Sequence, residues 1–174
     1  VVGGVLIPGA EAPKLVSKEM IKGGKLFIYG NTGDKFCSSP NTSREGLIDG
    51  NIYVRGSVGS NSIQRMRRGI IVIEKNIGDN CCSNLISGTI IVKGKIGDNF
   101  LENSKRGTIF GSDKKVVKGF RKANDANYNF IPFMGKLLEL IYDRKVLKGS
   151  SFLRYQGCLA NSTNLTEIFL TRKN

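Results

Sequence analysis

The chain of 174 residues contains no histidine and no tryptophan. Without histidine, neither a serine–histidine nor a cysteine–histidine catalytic pair can form, and histidine-containing zinc sites are excluded. Acidic residues are in the minority, with 14 against 27 basic ones, which gives a formal net charge of +13. A field of this sign favours polyanionic partners such as nucleic acid, phosphate or an acidic protein surface, and it does not choose among them.

Cysteine is scarce, and its positions have no spacing typical of a metal or redox site. No two of the four cysteines form a C-x-x-C pair, and the adjacent Cys81 and Cys82 are poor partners for a mutual disulfide. We therefore expect reduced thiols in a cytoplasmic protein. The four positions are Cys37, Cys81, Cys82 and Cys158.

Membrane and secretion signals are also missing from the sequence. No stretch approaches the length of apolar residues that a membrane-spanning helix needs. No basic segment followed by an apolar segment and a cleavage site marks a secretory signal near the start of the chain. Because the first residue is Val1 rather than Met, we expect the chain to be a fragment that lacks its natural N-terminus.

Glycine is abundant, and it recurs with a fixed period. Four glycines follow one another at a constant interval of nineteen positions (69−50, 88−69, 107−88), and each precedes a short β-branched run such as Ile70–Ile73. An earlier unit begins at Gly24, and its longer interval of twenty-six positions (50−24) includes seven extra residues around Ser38–Glu45. A looser unit, Gly3–Gly9, opens the chain. The four periodic glycines are Gly50, Gly69, Gly88 and Gly107.

This repeat predicts an all-β fold, a right-handed parallel β-helix of about six coils. A strand of four or five residues cannot bury its own face, so stacked coils must share a core, with neighbouring strands roughly 4.8 Å apart. Alternation with period two assigns the inward side chains. On the main strands these are Leu26, Ile28, Ile52, Val54, Ile71, Ile73, Ile90, Val92 and Ile109. A second inward row contains Val58, Ile77 and Ile96, and Met66 and Leu85 close the coil.

The middle position of each strand should point outward, yet it is apolar in all five coils. A column of this length would be an exposed patch of the sort that marks an interface. It is either a surface for a partner subunit or a surface that the C-terminal segment of the chain covers. The column consists of Phe27, Tyr53, Val72, Ile91 and Phe110.

The period ends near Gly111, which divides the chain into three predicted parts. Residues 1–111 form the β-helix, polar and lysine-rich residues 112–130 form a linker, and residues 131–174 form a C-terminal appendage. After Pro132, the spacing over Phe133–Leu147 predicts a helix that stops before Gly149. Its apolar face would contain Met134, Leu137, Leu138 and Ile141. A closing stretch, Ser151–Leu170, predicts one or two strands.

The run from Gly50 to Gly111 follows the pattern G-x-I-x-V-x-G-x-x-G-D and resembles the GXGXG β-helix family. That family includes the C-terminal domain of the large glutamate synthase subunit and the C subunit of formylmethanofuran dehydrogenase. The segments Arg65–Ile73, Leu85–Gly94 and Arg154–Ala160 are similar to the bacterial form of the latter, in the formyltransferase/hydrolase complex of methylotrophs. The chain departs from the pattern at two turn positions, Lys75 in place of glycine and Ser60 in place of aspartate.

The resemblance implies a non-catalytic scaffold subunit in one-carbon metabolism, where formaldehyde is oxidised to formate. Formyl groups would pass between tetrahydromethanopterin and a methanofuran-like carrier, and formyltransferase and amidohydrolase-like partner subunits would carry the chemistry and the metal. No cofactor or metal site is expected in this chain. The alternatives are the GXGXG domain of a glutamate-synthase-like enzyme and a basic β-helix that binds polyanions; a nucleic-acid-binding role is weakly supported, because no recognisable RNA motif is present.

Two groups of charged residues are candidate sites. Aspartates at a repeated turn, Asp34, Asp79 and Asp98, are expected to cap local backbone N–H groups rather than hold a metal, and Glu74 is expected to be a solvated charge. Basic residues at one corner would guide the acidic, glutamate-rich tail of the carrier, unless they form an ordinary solvated surface. These candidates are Arg65, Arg67, Arg68, Lys105 and Arg106, with Lys93 and Lys95 on a different turn.

Overall fold

The computed structural model describes residues 24–39, 45–112, 117–123, 128–147, 151–157 and 165–171. These residues form one mostly β structure with eight strands and one helix. The predicted Gly3–Gly9 unit and Cys158 lie outside the described residues. In chain order the elements are β1 (Lys25–Ile28), β2 (Asn51–Val54), β3 (Ile70–Ile73), β4 (Thr89–Val92), β5 (Arg106–Gly111), β6 (Phe120–Lys122), α1 (Phe130–Tyr142), β7 (Phe152–Gly157) and β8 (Leu165–Thr171).

The first five strands pair in parallel, each with the strand of the next coil. Their register follows the glycine period, because Ile70 pairs with Thr89 and Thr89 with Thr108, while Lys25 pairs with Asn51 across the longer unit. The glycine before each of the strands β1 to β4 has a positive φ, for example 122° at Gly50, a conformation that other residues adopt only with strain, and Gly107 takes the equivalent place as the second residue of β5. The period therefore marks the point where the chain turns into each strand.

A second parallel ladder runs alongside the first. Single bridges join Thr32 to Val58, Val58 to Ile77 and Ile77 to Ile96. The side chains between the two ladders form one apolar core, which contains the predicted inward residues of β2 to β5 and of the second row, together with Met66 and Leu85. The half-buried Leu26 and Ile28 of β1 pack against this core. The assignment of inward faces from period two is thereby confirmed.

The end of the sheet departs from the parallel stacking of the coils, since the sheet formed by the described strands is mixed. Its strand order is β1-β2-β3-β4-β5-β8-β7-β6. Strand β8 pairs in parallel with β5, with Ile168 beside Ile109, so the tail of the chain adds the next strand to the stack. Strands β7 and β6 then pair antiparallel. Strand β6 lies within the predicted linker, and the division of the chain at residues 111 and 130 stays a prediction.

Helix α1 is placed earlier in the chain than the sequence suggested. It begins at Phe130, so that Pro132 lies in the first turn, where its missing N–H costs no helical hydrogen bond. It ends at Tyr142 rather than Leu147, because Asp143 adopts the left-handed conformation, with φ 54°, that terminates helices. The inward side chains are Ile131, Leu138 and Tyr142, with Met134 and Ile141 half-buried. The prediction of Leu137 on this face was wrong, since its side chain is exposed.

The apolar column of middle strand positions is covered mainly by the chain itself. Helix α1 and strands β7 and β8 pack over Tyr53, Val72, Ile91 and Phe110, each at most 2% exposed, to form a second apolar core. Phe27, in the first strand, is 37% exposed. The structure thus favours self-coverage for the four buried residues, and a contact with a partner subunit stays a prediction for Phe27.

Helix α1 is the one helix in the part of the chain that the structure describes, and it is too short to cross a bilayer.

Candidate functional site

Five basic side chains lie where the chain enters two strands separated by two coils. Arg65, Arg67 and Arg68 precede β3, while Lys105 and Arg106 stand at the start of β5. Because Ile70 and Thr108 occupy equivalent register positions, Arg68 and Arg106 are two strand spacings apart, about 10 Å. The structure thus brings together the basic corner that the period predicted.

Hydrogen bonds between coils hold the backbone of the basic corner. The N–H of Arg67 donates to the carbonyl of Leu47 over 2.8 Å, and the N–H of Lys105 donates to the carbonyl of Leu85 over 2.8 Å. Beneath them, Leu47, Met66 and Leu85 form a buried row. Hydrogen bonds between coils and a buried apolar row thus support the backbone from which the charged side chains project.

A shallow groove of about 310 Å³ borders the corner. Arg106 and Glu167 contribute the charges of its lining, and Glu167 is paired with Arg154. Several of the other lining residues are small, so an extended chain can approach the backbone closely there. The full lining is Ser87, Gly88, Thr89, Arg106, Gly107, Thr108, Leu165 and Glu167.

The charges of the basic corner are only partly balanced. Arg67 forms an ion pair with Glu45, and Arg65 is half-buried. Arg68, Lys105 and Arg106 are exposed and form no ion pair with another described residue. Three cations on one edge can therefore attract an acidic ligand, in a way that added salt will screen.

The other two candidate cations lie apart from this corner. Lys93 and Lys95 follow strand β4, whereas the corner precedes the strands, so about 13 Å of strand separates the two regions. The ammonium of Lys93 lies 2.6 Å from Oε1 of Glu74. Lys95 is exposed. Lys93 is thus already neutralised by a neighbour and is a poor contact for a polyanion.

Glu74 is the centre of a polar cluster rather than a solvated charge. Besides Lys93, the hydroxyl of Tyr53 donates to its Oε1 over 2.6 Å. Arg144, which follows the end of α1 closely, donates to the Tyr53 hydroxyl over 3.1 Å and lies 4.6 Å above its ring. The period could have indicated the contact between Glu74 and Lys93, since Arg55, Glu74 and Lys93 occupy the same position of successive repeats and therefore stack on one another. Nothing in the sequence indicated the contribution of Arg144.

The cluster shifts the titration of its acidic groups. Burial acts to raise the pKa of Glu74, but the hydrogen bonds from Lys93 and Tyr53 outweigh it, so this pKa is lowered from its ordinary value. For Tyr53, burial and the hydrogen bond to Glu74 raise the pKa. The ionised carboxylate is therefore the form that the folded chain prefers.

We predict that Glu74→Gln lowers the free energy of unfolding by about 1 kcal/mol at neutral pH, since one charged hydrogen-bond acceptor is lost. A carboxyl with a lowered folded-state pKa stabilises above its unfolded pKa, and this contribution disappears as the pH falls through the folded value. The difference from wild type in urea unfolding should therefore be constant near neutrality and shrink below about pH 4.5. The exposed Glu102→Gln is the control, and equal effects at both positions would contradict the assignment.

The aspartate column caps backbone groups, but these groups belong to the next coil rather than to the local turn. Asp34 accepts from the N–H of Ser60 over 2.7 Å, and Asp79 accepts from the N–H of Asp98 over 2.7 Å. Ser60, which stands in the column where aspartate is usual, makes the same kind of bond, since its hydroxyl accepts from the N–H of Asp79 over 3.2 Å. A parallel column begins at Asn31, which accepts from Ser57. These side chains therefore link the coils.

The described cysteines are free thiols, of which Cys81 and Cys82 are buried and Cys37 is half-buried. Burial raises the pKa of Cys37 to about 12 and that of Cys81 to about 11, and it raises the pKa of Cys82 well above the ordinary value. Such thiols stay protonated at neutral pH and are poor nucleophiles. Within the described ranges, no group of three or more Cys, Asp or Glu side chains is arranged to hold a metal ion.

Comparison with known proteins places the repeat in a family. The profile described as the GXGXG motif matches residues 6–127, which is more than half of the chain. The chain belongs to the GXGXG family. A comparison with curated proteins found no match.

Among solved structures, the chain is similar to a chain of "the formyltransferase/hydrolase complex (FhcABCD) from Methylorubrum extorquens in complex with methylofuran". The TM-score is 0.75 at 26% sequence identity, over 87% of this GXGXG protein and 57% of the other chain. The protein therefore spans little more than half the length of its structural relative. Both findings confirm the resemblance that the glycine repeat and the tail indicated.

Proposed function

We propose that this GXGXG protein is a structural subunit of a formyltransferase/hydrolase-type complex. The observation that carries the proposal is the superposition on a chain of such a complex over 87% of this chain, at a TM-score of 0.75. Because that share exceeds what the coils alone contain, the similarity extends into the C-terminal tail, which favours a relationship beyond the repeat. Formyltransferase and amidohydrolase-like subunits in the cytoplasm are the proposed partners.

We infer further that the coils form a right-handed parallel β-helix. Parallel pairing of β1 to β5, together with the second ladder of single bridges, supports this arrangement. Parallel crossover connections in one sheet are right-handed in about 98% of cases, which supports the hand. A crystal structure of the chain would test both features, and a left-handed turn between β3 and β4 would refute the inference.

The chain itself is proposed to be non-catalytic, with the chemistry carried by its partners. This part of the proposal rests on the lack of histidine among the 174 residues. The purified chain should hydrolyse no formylated carrier and transfer no formyl group above the buffer rate. Added to an assembly depleted of this chain, it should restore the activity of the assembly. Activity of the chain alone would overturn the non-catalytic role.

The basic corner is proposed to guide the acidic tail of a methanofuran-type carrier. Three exposed cations, Arg68, Lys105 and Arg106, stand beside a groove that admits an extended chain. A tail of glutamates offers repeated carboxylates to such an edge, and the resulting attraction is mostly Coulombic. Tetrahydromethanopterin and any metal are proposed to bind other subunits.

We predict that Arg68→Glu combined with Arg106→Glu weakens the binding of poly-L-glutamate at least about tenfold in low salt, because two attractive charges become repulsive. The control pair, Arg55→Glu with Lys75→Glu, changes the net charge equally at exposed positions that follow strands β2 and β3, at the opposite strand ends from the corner. Fluorescence titration between about 50 and 300 mM salt measures both effects. Equal weakening by the two pairs would leave only a net-charge effect, and an affinity independent of salt would refute tail guidance.

The alternative is a polyanion-binding protein outside such a complex, and the same net charge of +13 favours it. A nucleic acid retained through purification, visible as absorbance at 260 nm, would favour this alternative. A glutamate-synthase-like role is the other alternative, and it would require an adjoining flavin and iron–sulfur enzyme.

A further inference from the structure

The outer face of helix α1 is apolar, although its inner face already supplies part of the second core. Leu140 is 81% exposed and Phe133 is 71% exposed. Phe130 and Leu137, at 42% and 38%, complete the row. We refer to Phe130, Phe133, Leu137 and Leu140 as the outer stripe.

The spacing of the outer stripe is the spacing of a helix–helix seam. Its members lie at i, i+3, i+7 and i+10, which is the alternation of three and four residues that two paired helices share. Single exposed leucines are ordinary on protein surfaces, but four large side chains along one helix form a contiguous patch. Burying a stripe of this pattern against another helix is more favourable than leaving it exposed to water.

The charges beside the outer stripe are arranged so that those of one copy of α1 can pair with opposite charges on a second, antiparallel copy. Lys136 lies near the middle of α1, and Asp143 directly follows its last residue on the same flank, one heptad later. Arg144 does not disturb this pattern, because its guanidinium is held against Tyr53. In an antiparallel pair that sets Leu137 of each copy beside Leu140 of the other, Lys136 of each copy lies beside Asp143 of the other.

We propose that two copies of this chain pair through an antiparallel contact between their α1 helices, centred on Leu137 and Leu140. In this register Leu137 and Leu140 of each copy meet α1 of the other, whereas Phe130 and Phe133 lie opposite residues beyond its end at Tyr142. Leu137 and Leu140 together expose about 240 Å² in each copy, when a large side chain is taken as roughly 200 Å². The two copies thus bury far less than a standard interface of about 1,600 Å², so the pairing is weak. The net charge of +13 opposes it little, since charges more than about 8 Å away are screened at physiological ionic strength. This proposal does not rest on the proposed function.

The test is the mass of the purified chain in sedimentation equilibrium, from 1 µM to a few hundred µM, a range on the order of the affinity expected for so small an interface. We expect the mass to rise from 19.0 kDa towards twice that value. Leu140→Ser should raise the dissociation constant at least about tenfold, because a leucine of each copy leaves the contact. Leu165→Ser is the control, because it removes another exposed leucine, 66% exposed on β8 and outside the outer stripe. It should change the dissociation constant less than about twofold.

A charge exchange tests the orientation independently of the apolar contact. Lys136→Glu should weaken pairing, because both flanking residues are then acidic, and adding Asp143→Lys should restore it. Lysine is acceptable at the left-handed position 143, since Lys35 has a φ of 58° in the same fold. A chain that stays at 19.0 kDa at the highest concentration would overturn the proposal and leave the stripe to a different protein. A dimer that Leu140→Ser leaves intact, or a charge exchange that restores nothing, would overturn it as well.

Discussion

Phe110→Ala is expected to lower the free energy of unfolding by about 3–5 kcal/mol, which is the usual cost of emptying a buried aromatic site. The ring of Phe110 is 1% exposed, stacks on Phe169 at 5.3 Å and meets the edge of Phe152 at 5.9 Å. Both partners belong to the closing strands, so the substitution removes contacts between the coils and the tail. Urea unfolding followed by circular dichroism measures the loss.

Phe27→Ala is the matched control, because it is the same change at the other end of the same column. Phe27 is 37% exposed, and we expect a loss of no more than about 2 kcal/mol. A loss at Phe110 as small as that at Phe27 would mean that the tail does not cover the column in solution.

The second large effect is expected at Gly97, where two coils approach each other closely. A Cβ at this position would lie 2.4 Å from both the carbonyl carbon and the carbonyl oxygen of Gly78, and 2.5 Å from Oδ1 of Asp79. Because two of these atoms belong to the backbone, the neighbouring coil has to move. Gly97→Ala should therefore cost about 3 kcal/mol or more, measured as the shift of the urea midpoint.

Gly33→Ala tests whether this cost comes from stacking. Gly33 has the equivalent place in the first described coil, and no described atom lies within 4 Å of its Cβ position. Its substitution should change stability by less than about 1 kcal/mol. A large loss at Gly33 and none at Gly97 would contradict the observed order of the coils.

The sequence was a good guide to the coils, for a physical reason. Each coil repeats the same backbone path, so Gly50, Gly69 and Gly88 mark the same turn, and alternation within the strand separates inward from outward side chains. The basic corner follows from the same period, since Arg68 and Arg106 are two full repeats apart in the sequence.

The tail could not be placed from the sequence, because its contacts are not periodic. Strand β8 pairs with β5 although Arg106 and Leu165 lie far apart in the chain, and no spacing indicates that pairing. The same applies to Arg144, which reaches Tyr53 from the end of α1. The apolar face of α1 was misassigned at Leu137 because both faces of the helix are apolar, so hydrophobic spacing alone does not say which one is inside.

We propose that this GXGXG protein works as one subunit of a formyltransferase/hydrolase-type complex. The most direct test is to tag the full-length protein in its native cells, isolate it gently, and determine the composition and stoichiometry of what is recovered by native mass spectrometry. We predict formyltransferase and amidohydrolase-like subunits in a fixed ratio to this chain. Recovery of the chain by itself, or with nucleic acid in place of these subunits, would contradict the claim.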